Sequence, residues 1–238
     1  MTSADASERN QTTVLFVHGV GMHPSLFGPT ASRLTCRSET WLRPGYENRA
    51  PVGSFDEQVS CLIEHLDQLD DCVVVGVSGG ATLGLAAAIS RPDSMVGLIT
   101  HEPLIGPLEP GLNDRIVNAA DVLRHNRSAE AAAAFLSRLY GRPWPLDDTS
   151  RIADDVAQFA SFTPTADELA AITVDHITTV GANSSPERHR VANTLATLGA
   201  HMRQIDQSGH LVLADNPDGF AQVVNELVAC LTEHAGPA

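Results

Sequence analysis

The sequence predicts an α/β protein: a mostly parallel sheet of about six strands, interrupted by an inserted helical segment. Three observations predict it. Short apolar runs alternate with helix-like segments along both ends of the chain, an order that implies parallel strands joined by right-handed crossovers. "CVVVGV", residues 72–77, is an unbroken apolar run of the kind buried on both faces of a parallel sheet. From about Leu104 to Ile172 only helical patterns occur, so residues 1–103 and 173–238 are expected to form the core and 104–172 a helical cap.

Taken in order, "TTVLFVHGVG" predicts a buried strand over Val14 to Val17 that ends in a histidine-glycine turn. A helix is expected over about Ser25 to Leu34, then a second strand in "ETWLRPGY" closing at Pro44. Val59, Leu62, Ile63, Leu66 and Leu69 recur at helical spacing and mark one apolar helix face. After the 72–77 strand, "ATLGLAAAISRP" predicts a helix stopped by Pro92, and "MVGLITHEP" a strand stopped by Pro103. In the cap, "AEAAAAFLSRLY" and "RIADDVAQFASF" are helical, with "RPWPLDD" as their connection. Alternation resumes with the strand "DHITTVGA", the helix "ERHRVANTLATLG", the strand "AHMRQID", the loop "QSGH" and a closing helix after Pro217.

Composition removes several function classes. A formal charge of −14 opposes nucleic acid and anionic membranes, which need clustered cations; a small-molecule substrate is expected instead. All 15 cationic side chains are arginine and none is lysine, which excludes Schiff-base, pyridoxal and P-loop chemistry. The four cysteines, Cys36, Cys61, Cys72 and Cys230, are scattered and give no zinc or redox spacing. Neither a leader-like segment nor a membrane-length apolar run is present, so a cytoplasmic location is expected.

At the end of the central strand, "GVSGG" places Ser78 between Gly76 and Gly80. A sharp strand-to-helix turn strains the central residue and requires small neighbours two positions before and after it. Such a turn raises the hydroxyl above the sheet, at the amino end of the next helix, where free N–H groups favour a developing anion. The competing readings are an incidental serine at a glycine-rich junction and a dinucleotide-binding turn, the latter opposed by Ser78 standing at the middle glycine of that pattern.

A serine hydroxyl needs a base, an orienting acid and an oxyanion site. "QSGHLVLAD" puts His210 in the loop after the last strand, where a base is required. "VHGVG" follows the first strand, and the amides of Val20 and Gly79 are assigned as the oxyanion pair. His18 is expected to hold that loop. No ligand spacing for a metal accompanies these histidines.

These three motifs, in this order, resemble the α/β-hydrolase superfamily from about Thr13 to Leu231. The resemblance implies a cofactor-independent catalytic triad on a mostly parallel sheet. Many members carry the triad acid after a late strand, in a pattern like G-x-x-D. Here that stretch is "VGANSS", with Ser184 at the acid's position, and neither Asn183 nor Ser184 carries the required charge. The acid is therefore expected at the end of the preceding core strand, as in the haloalkane dehalogenase branch, where "LITHEPL" supplies Glu102. Glu187, Asp206 and Asp215 are reserves, and His101 is expected on the opposite side of its strand, in a structural role.

The resulting expectation is a serine hydrolase acting on a carboxylic ester, thioester or lactone through an acyl-enzyme on Ser78. Carbon-carbon bond hydrolysis and perhydrolysis share this triad. A non-catalytic ligand-binding protein or a lyase on the same scaffold is the alternative from another class. Phe135, Tyr140, Trp144, Phe159 and Phe162 of the cap either line a pocket or pack helix on helix.

Overall fold

Six parallel strands pair side by side, and their carboxyl ends all open on one edge. The computed structural model describes residues 12–47, 49–126, 128–144 and 151–234. The amino-terminal residues 1–11 and most of the expected 142–148 connection lie outside the described residues.

The strands are β1 (Thr13–Val17), β2 (Arg37–Trp41), β3 (Cys72–Val77), β4 (Gly97–His101), β5 (Asp175–Gly181) and β6 (His201–Ile205). They form one sheet in the order β2-β1-β3-β4-β5-β6, and every pair is parallel. The central strands β1, β3 and β4 are buried at every position, which explains the apolar runs Val14 to Val17, Cys72 to Val77 and Leu98 to Ile99. The outer β6, "HMRQI", is buried only at Ile205; its polar side chains blunt an open edge.

Helices cover the sheet: α1 (Gly28–Ala31), α2 (Phe55–Leu66), α3 (Gly79–Ser90), α4 (Pro110–His125), α5 (Ala129–Tyr140), α6 (Ile152–Ala160), α7 (Ala166–Ala170), α8 (Pro186–Thr197), α9 (Val212–Asp215) and α10 (Pro217–His234). The ten residues Gly79 to Ala88 of α3 are all buried, so its alanines and glycines meet neighbours all around rather than along one stripe. A Cβ on Gly84 would lie 2.9 Å from Leu98 Cδ1, the mark of a helix drawn close onto the sheet. α2 begins with a capping box in which Ser54 and Glu57 each satisfy the other's backbone amide.

The helix expected over Ser25 to Leu34 is replaced by a 3-10 turn, Pro24–Phe27, and the single turn α1. Pro29 lacks the N–H group a continuous helix would need there, and Gly28 between the two pieces favours a break. A 3-10 turn, Gly106–Leu108, and helices α4 to α7 are the described elements between β4 and β5. Among the described residues no helix is long and apolar enough to cross a membrane.

Strand register decides which residues meet at the carboxyl edge. Val17 lies opposite Gly76, Val77 opposite His101, and His101 opposite Thr179. The residues just past these strands, His18 to Gly21, Ser78 and Glu102, are thereby delivered side by side above that edge, where α/β folds place their ligands.

Candidate active site

Ser78 adopts φ 56°, ψ −121°, a left-handed conformation that costs a non-glycine residue about 1–3 kcal/mol. The glycines around it are required by space. A Cβ on Gly80 would fall 2.0 Å from the Val17 carbonyl oxygen, and one on Gly76 would fall 2.5 Å from the Ala81 backbone. Gly80→Ala is accordingly expected to destabilise the fold by about 3 kcal/mol or more, since backbone rather than side chain must yield. Thermal unfolding checks this; an unchanged melting temperature would contradict the close approach.

The structure brings Ser78, His210 and Glu102 together. His210 Nδ1 lies 2.7 Å from Glu102 Oε2, and His210 Nε2 lies 3.1 Å from Ser78 Oγ. An ionised carboxylate only accepts, so Nδ1–H donates to it and Nε2 is left to accept the serine O–H. Burial first, and Arg188 second, pull the His210 pKa down to about 4 against the pull of Glu102. The imidazole is therefore neutral across the physiological range, with Nε2 free to accept a proton.

Glu102 also adopts a left-handed conformation, φ 48°, and is 3% exposed. Its Oε1 accepts from the Gly181 amide at 3.0 Å and from the Ser184 hydroxyl. Oε2 meets Arg188 Nε at 3.2 Å, and Arg188 Nη1 donates to the Glu102 carbonyl at 3.3 Å. Burial alone would raise this carboxyl; Arg188 foremost, then His101 and His210, hold it well below the usual range. Ser184, at the position where a triad aspartate was sought, thus supports the carboxylate offered by the neighbouring strand.

His101 differs from expectation. Strand alternation would send it away from Glu102, but the left-handed backbone at Glu102 ends that alternation. His101 Nε2 lies 3.7 Å from Glu102 Oε1, and its ring stacks 6.5 Å from that of His210. It bonds Thr179 at 2.9 Å and the Gly209 carbonyl at 3.3 Å, bracing the loop that carries His210. The reserve carboxylates are engaged elsewhere: Glu187 pairs with Arg115 at 2.9 Å, and Asp215 pairs with Arg142 and accepts from the Gly209 amide. Asp206 contributes its backbone carbonyl to Asn216.

Ser78 is 0% exposed and His210 8%, so the hydroxyl is covered rather than open above the sheet. The covering rings come from α5 and α6. Tyr140 stacks on His210 at 5.6 Å, and the Phe159 ring would stand 2.7 Å from a Cβ on Gly79. Phe162 packs instead against Phe55, and Trp144 against Tyr140. Val20 and Gly79 are both buried, and among the described residues neither amide donates to an acceptor. A Cβ on Gly19 would lie 3.0 Å from Ser78 Cβ, which places the Gly19–Val20 peptide beside the serine.

His101, Glu102 and His210 offer ligand atoms within 4.8 Å of one another. The Arg188 guanidinium already occupies that carboxylate, so a metal cation there would face a fixed positive charge. Arg188 was not singled out from sequence because "ERHRVANTLATLG" resembles a solvated helix face. Its position two residues after Pro186, at the start of α8, aims it back at the sheet edge.

Residues 14–223 match the model of a family described as the alpha/beta hydrolase family. Among solved structures, NosK from Streptomyces actuosus is 22% identical, with a TM-score of 0.69 over 94% of this chain and 100% of that one. MenH from S. aureus is 16% identical, with a TM-score of 0.78 over 93% and 94%. An esterase from Exiguobacterium antarcticum is 17% identical, with a TM-score of 0.76 over 92% of each. At these identities the likenesses speak to the fold.

Proposed function

Because this chain belongs to the alpha/beta hydrolase family, we propose that it cleaves a small carboxylic ester, thioester or lactone through an acyl-enzyme on Ser78. The observation that carries the reading is the hydrogen-bonded series Ser78, His210, Glu102, at 3.1 and 2.7 Å. In the proposed reaction Ser78 Oγ attacks the acyl carbon while its proton passes to His210 Nε2. The amides of Val20 and Gly79 receive the oxyanion. Collapse expels the alcohol or thiol with the proton from His210, and water repeats the sequence to release the acid. Glu102 orients the imidazole and offsets the charge of the imidazolium. This chemistry requires no cofactor.

The Tyr140 ring against His210 and the Phe159 ring against Gly79 favour a small, largely apolar acyl group. Entry requires these helices to part from the sheet edge. The same burial of Ser78 favours a second reading, a ligand-binding protein of slow or no turnover. A panel of p-nitrophenyl acetate, p-nitrophenyl butyrate, γ-butyrolactone and an acetyl thioester separates the two. Turnover of at least one supports the hydrolase; thermal stabilisation by these compounds without turnover supports the binder.

The pH dependence follows from His210. Its pKa is lowered to about 4, so the base is free above that value and is lost as pH falls through it. The acid limb of kcat/KM is therefore expected well below the ordinary histidine value of about 6.5, nearer 4. An inflection at 6.5 or above would contradict the buried, arginine-flanked environment.

A further inference from the structure

The loop Gly19-Val20-Gly21 has six backbone polar groups, and five have partners. The Gly19 amide points to Met22 Sδ at 3.4 Å. The Gly19 carbonyl accepts from His18 Nδ1 at 3.1 Å, from Arg43 Nη1 at 3.3 Å and from the Met22 amide at 3.4 Å. The Val20 carbonyl accepts from Tyr140 Oη at 2.6 Å, and the Gly21 carbonyl from Trp144 Nε1 at 3.1 Å. The Gly21 amide donates to Tyr46 Oη at 3.0 Å. The Val20 N–H alone is left without an acceptor among the described residues, in a residue 1% exposed. Buried orphan amides are rare, so this one is reserved for a ligand.

A trans peptide is planar, with its C=O and N–H pointing in opposite directions. Holding the Gly19 carbonyl therefore aims the Val20 N–H. The tautomer of His18 is set by Arg43, whose backbone amide donates to His18 Nε2 at 3.2 Å; Nδ1 then carries the proton that reaches Gly19. The Arg43 side chain is 0% exposed and is held on three sides. Nη2 lies 2.9 Å from Asp155 Oδ1 on α6, Nε donates to Gln58 at 3.0 Å, and the guanidinium lies over the rings of Tyr46 and Phe159. Asp155, also 0% exposed, accepts in addition from Tyr46 Oη, the same hydroxyl that receives the Gly21 amide.

We infer that Arg43 is a positioning residue which, anchored by Asp155, aims the Val20 amide at the oxyanion and makes that aim depend on the seating of α6. The inference rests on the acyl-transfer reading of Ser78. Its consequence is that a catalytic amide on the sheet is set by a charge pair reaching up to a covering helix, so displacement of α6 disarms the site.

The test compares the parent protein with Arg43→Met/Asp155→Asn, in which both charges of that pair are removed together; Arg151, whose Nη2 lies 3.8 Å from Asp155 Oδ1, keeps its own charge and loses that carboxylate. Steady-state hydrolysis of a p-nitrophenyl ester is measured beside inhibition by phenylboronic acid, whose tetrahedral Ser78 adduct uses the oxyanion site. The expected result is a fall in kcat of about 10- to 100-fold, below the 10²- to 10³-fold cost of deleting an oxyanion donor outright. KM should stay nearly unchanged, and phenylboronic acid should weaken by the same factor as kcat. A folded double variant with parental kcat and parental boronate affinity would overturn the inference, whatever its melting temperature. Should that variant fail to fold, Tyr46→Phe decides, with a smaller parallel loss of about 5- to 10-fold expected and parental values overturning it. A parent that neither turns over the ester nor binds the boronate sinks the acyl-transfer reading itself, whereas an active parent with unchanged variants sinks only the role of Arg43.

Discussion

Ser78→Ala is expected to lower kcat for any ester or thioester substrate by about 10⁵- to 10⁶-fold, the scale of removing a nucleophile that acts as one unit with its base. The fold should persist. Alanine suffers the same left-handed strain as serine at φ 56°, and only the hydroxyl is lost from a site that is 0% exposed. Among the described residues the one side-chain bond removed is that to His210 Nε2, and a neutral imidazole tolerates an unmet acceptor better than a stranded charge would be tolerated. Turnover measured beside the melting temperature separates chemistry from folding. Residual activity above about 1% of the parent, a loss far short of that scale, would mean that another group is the nucleophile.

Glu102→Gln is expected to act twice. In catalysis, an amide cannot offset the imidazolium charge and can present the wrong partner to Nδ1, so kcat should fall by about 10³- to 10⁴-fold. In stability, the change strands Arg188, whose side chain is 10% exposed and whose Nε lies 3.2 Å from the carboxylate. Removing one partner of a buried pair costs about 3–5 kcal/mol. Both effects have one cause, so kcat of the folded fraction and the melting temperature should fall together. Near-parental turnover would move the acid to Glu187, Asp206 or Asp215, although the first and last of these already hold arginines elsewhere.

The sheet was legible because burial on both faces leaves an unbroken apolar signature, as in Cys72 to Val77. The outer β6 was legible for a different reason: it recurs in phase with the helices despite "HMRQI" being mostly polar. Ser78 and His210 could be named because backbone constraints write themselves into sequence. Gly76 and Gly80 have no room for a Cβ, and Gly209 precedes the histidine. Glu102 was legible as the proposed acid because Ser184 cannot carry charge; that Ser184 instead donates to Glu102 follows only from the two strand ends standing adjacent.

What stayed hidden was long-range and polar. Arg188, Arg43 and Asp155 lie in helices or loops whose charged residues look solvated in one dimension, and nothing in their spacing reports that they turn inward. That the hydroxyl raised by the turn would be covered, with Ser78 0% exposed, stayed hidden for the same reason. Coverage by Tyr140 and Phe159 depends on how α5 and α6 lie across the sheet edge, a packing relation that periodicity does not encode. His101 was misplaced because alternation was carried one residue too far, past the left-handed turn at Glu102.

The most direct measurement is covalent labelling of the intact protein with a fluorophosphonate, followed by peptide mass mapping, in the parent and in a His210→Ala variant. A single adduct on the peptide containing Ser78, formed rapidly in the parent and hundreds of times more slowly without His210, is the predicted result. An unlabelled Ser78 in a parent that still hydrolyses esters, or labelling that is indifferent to His210, would contradict a serine activated by that imidazole.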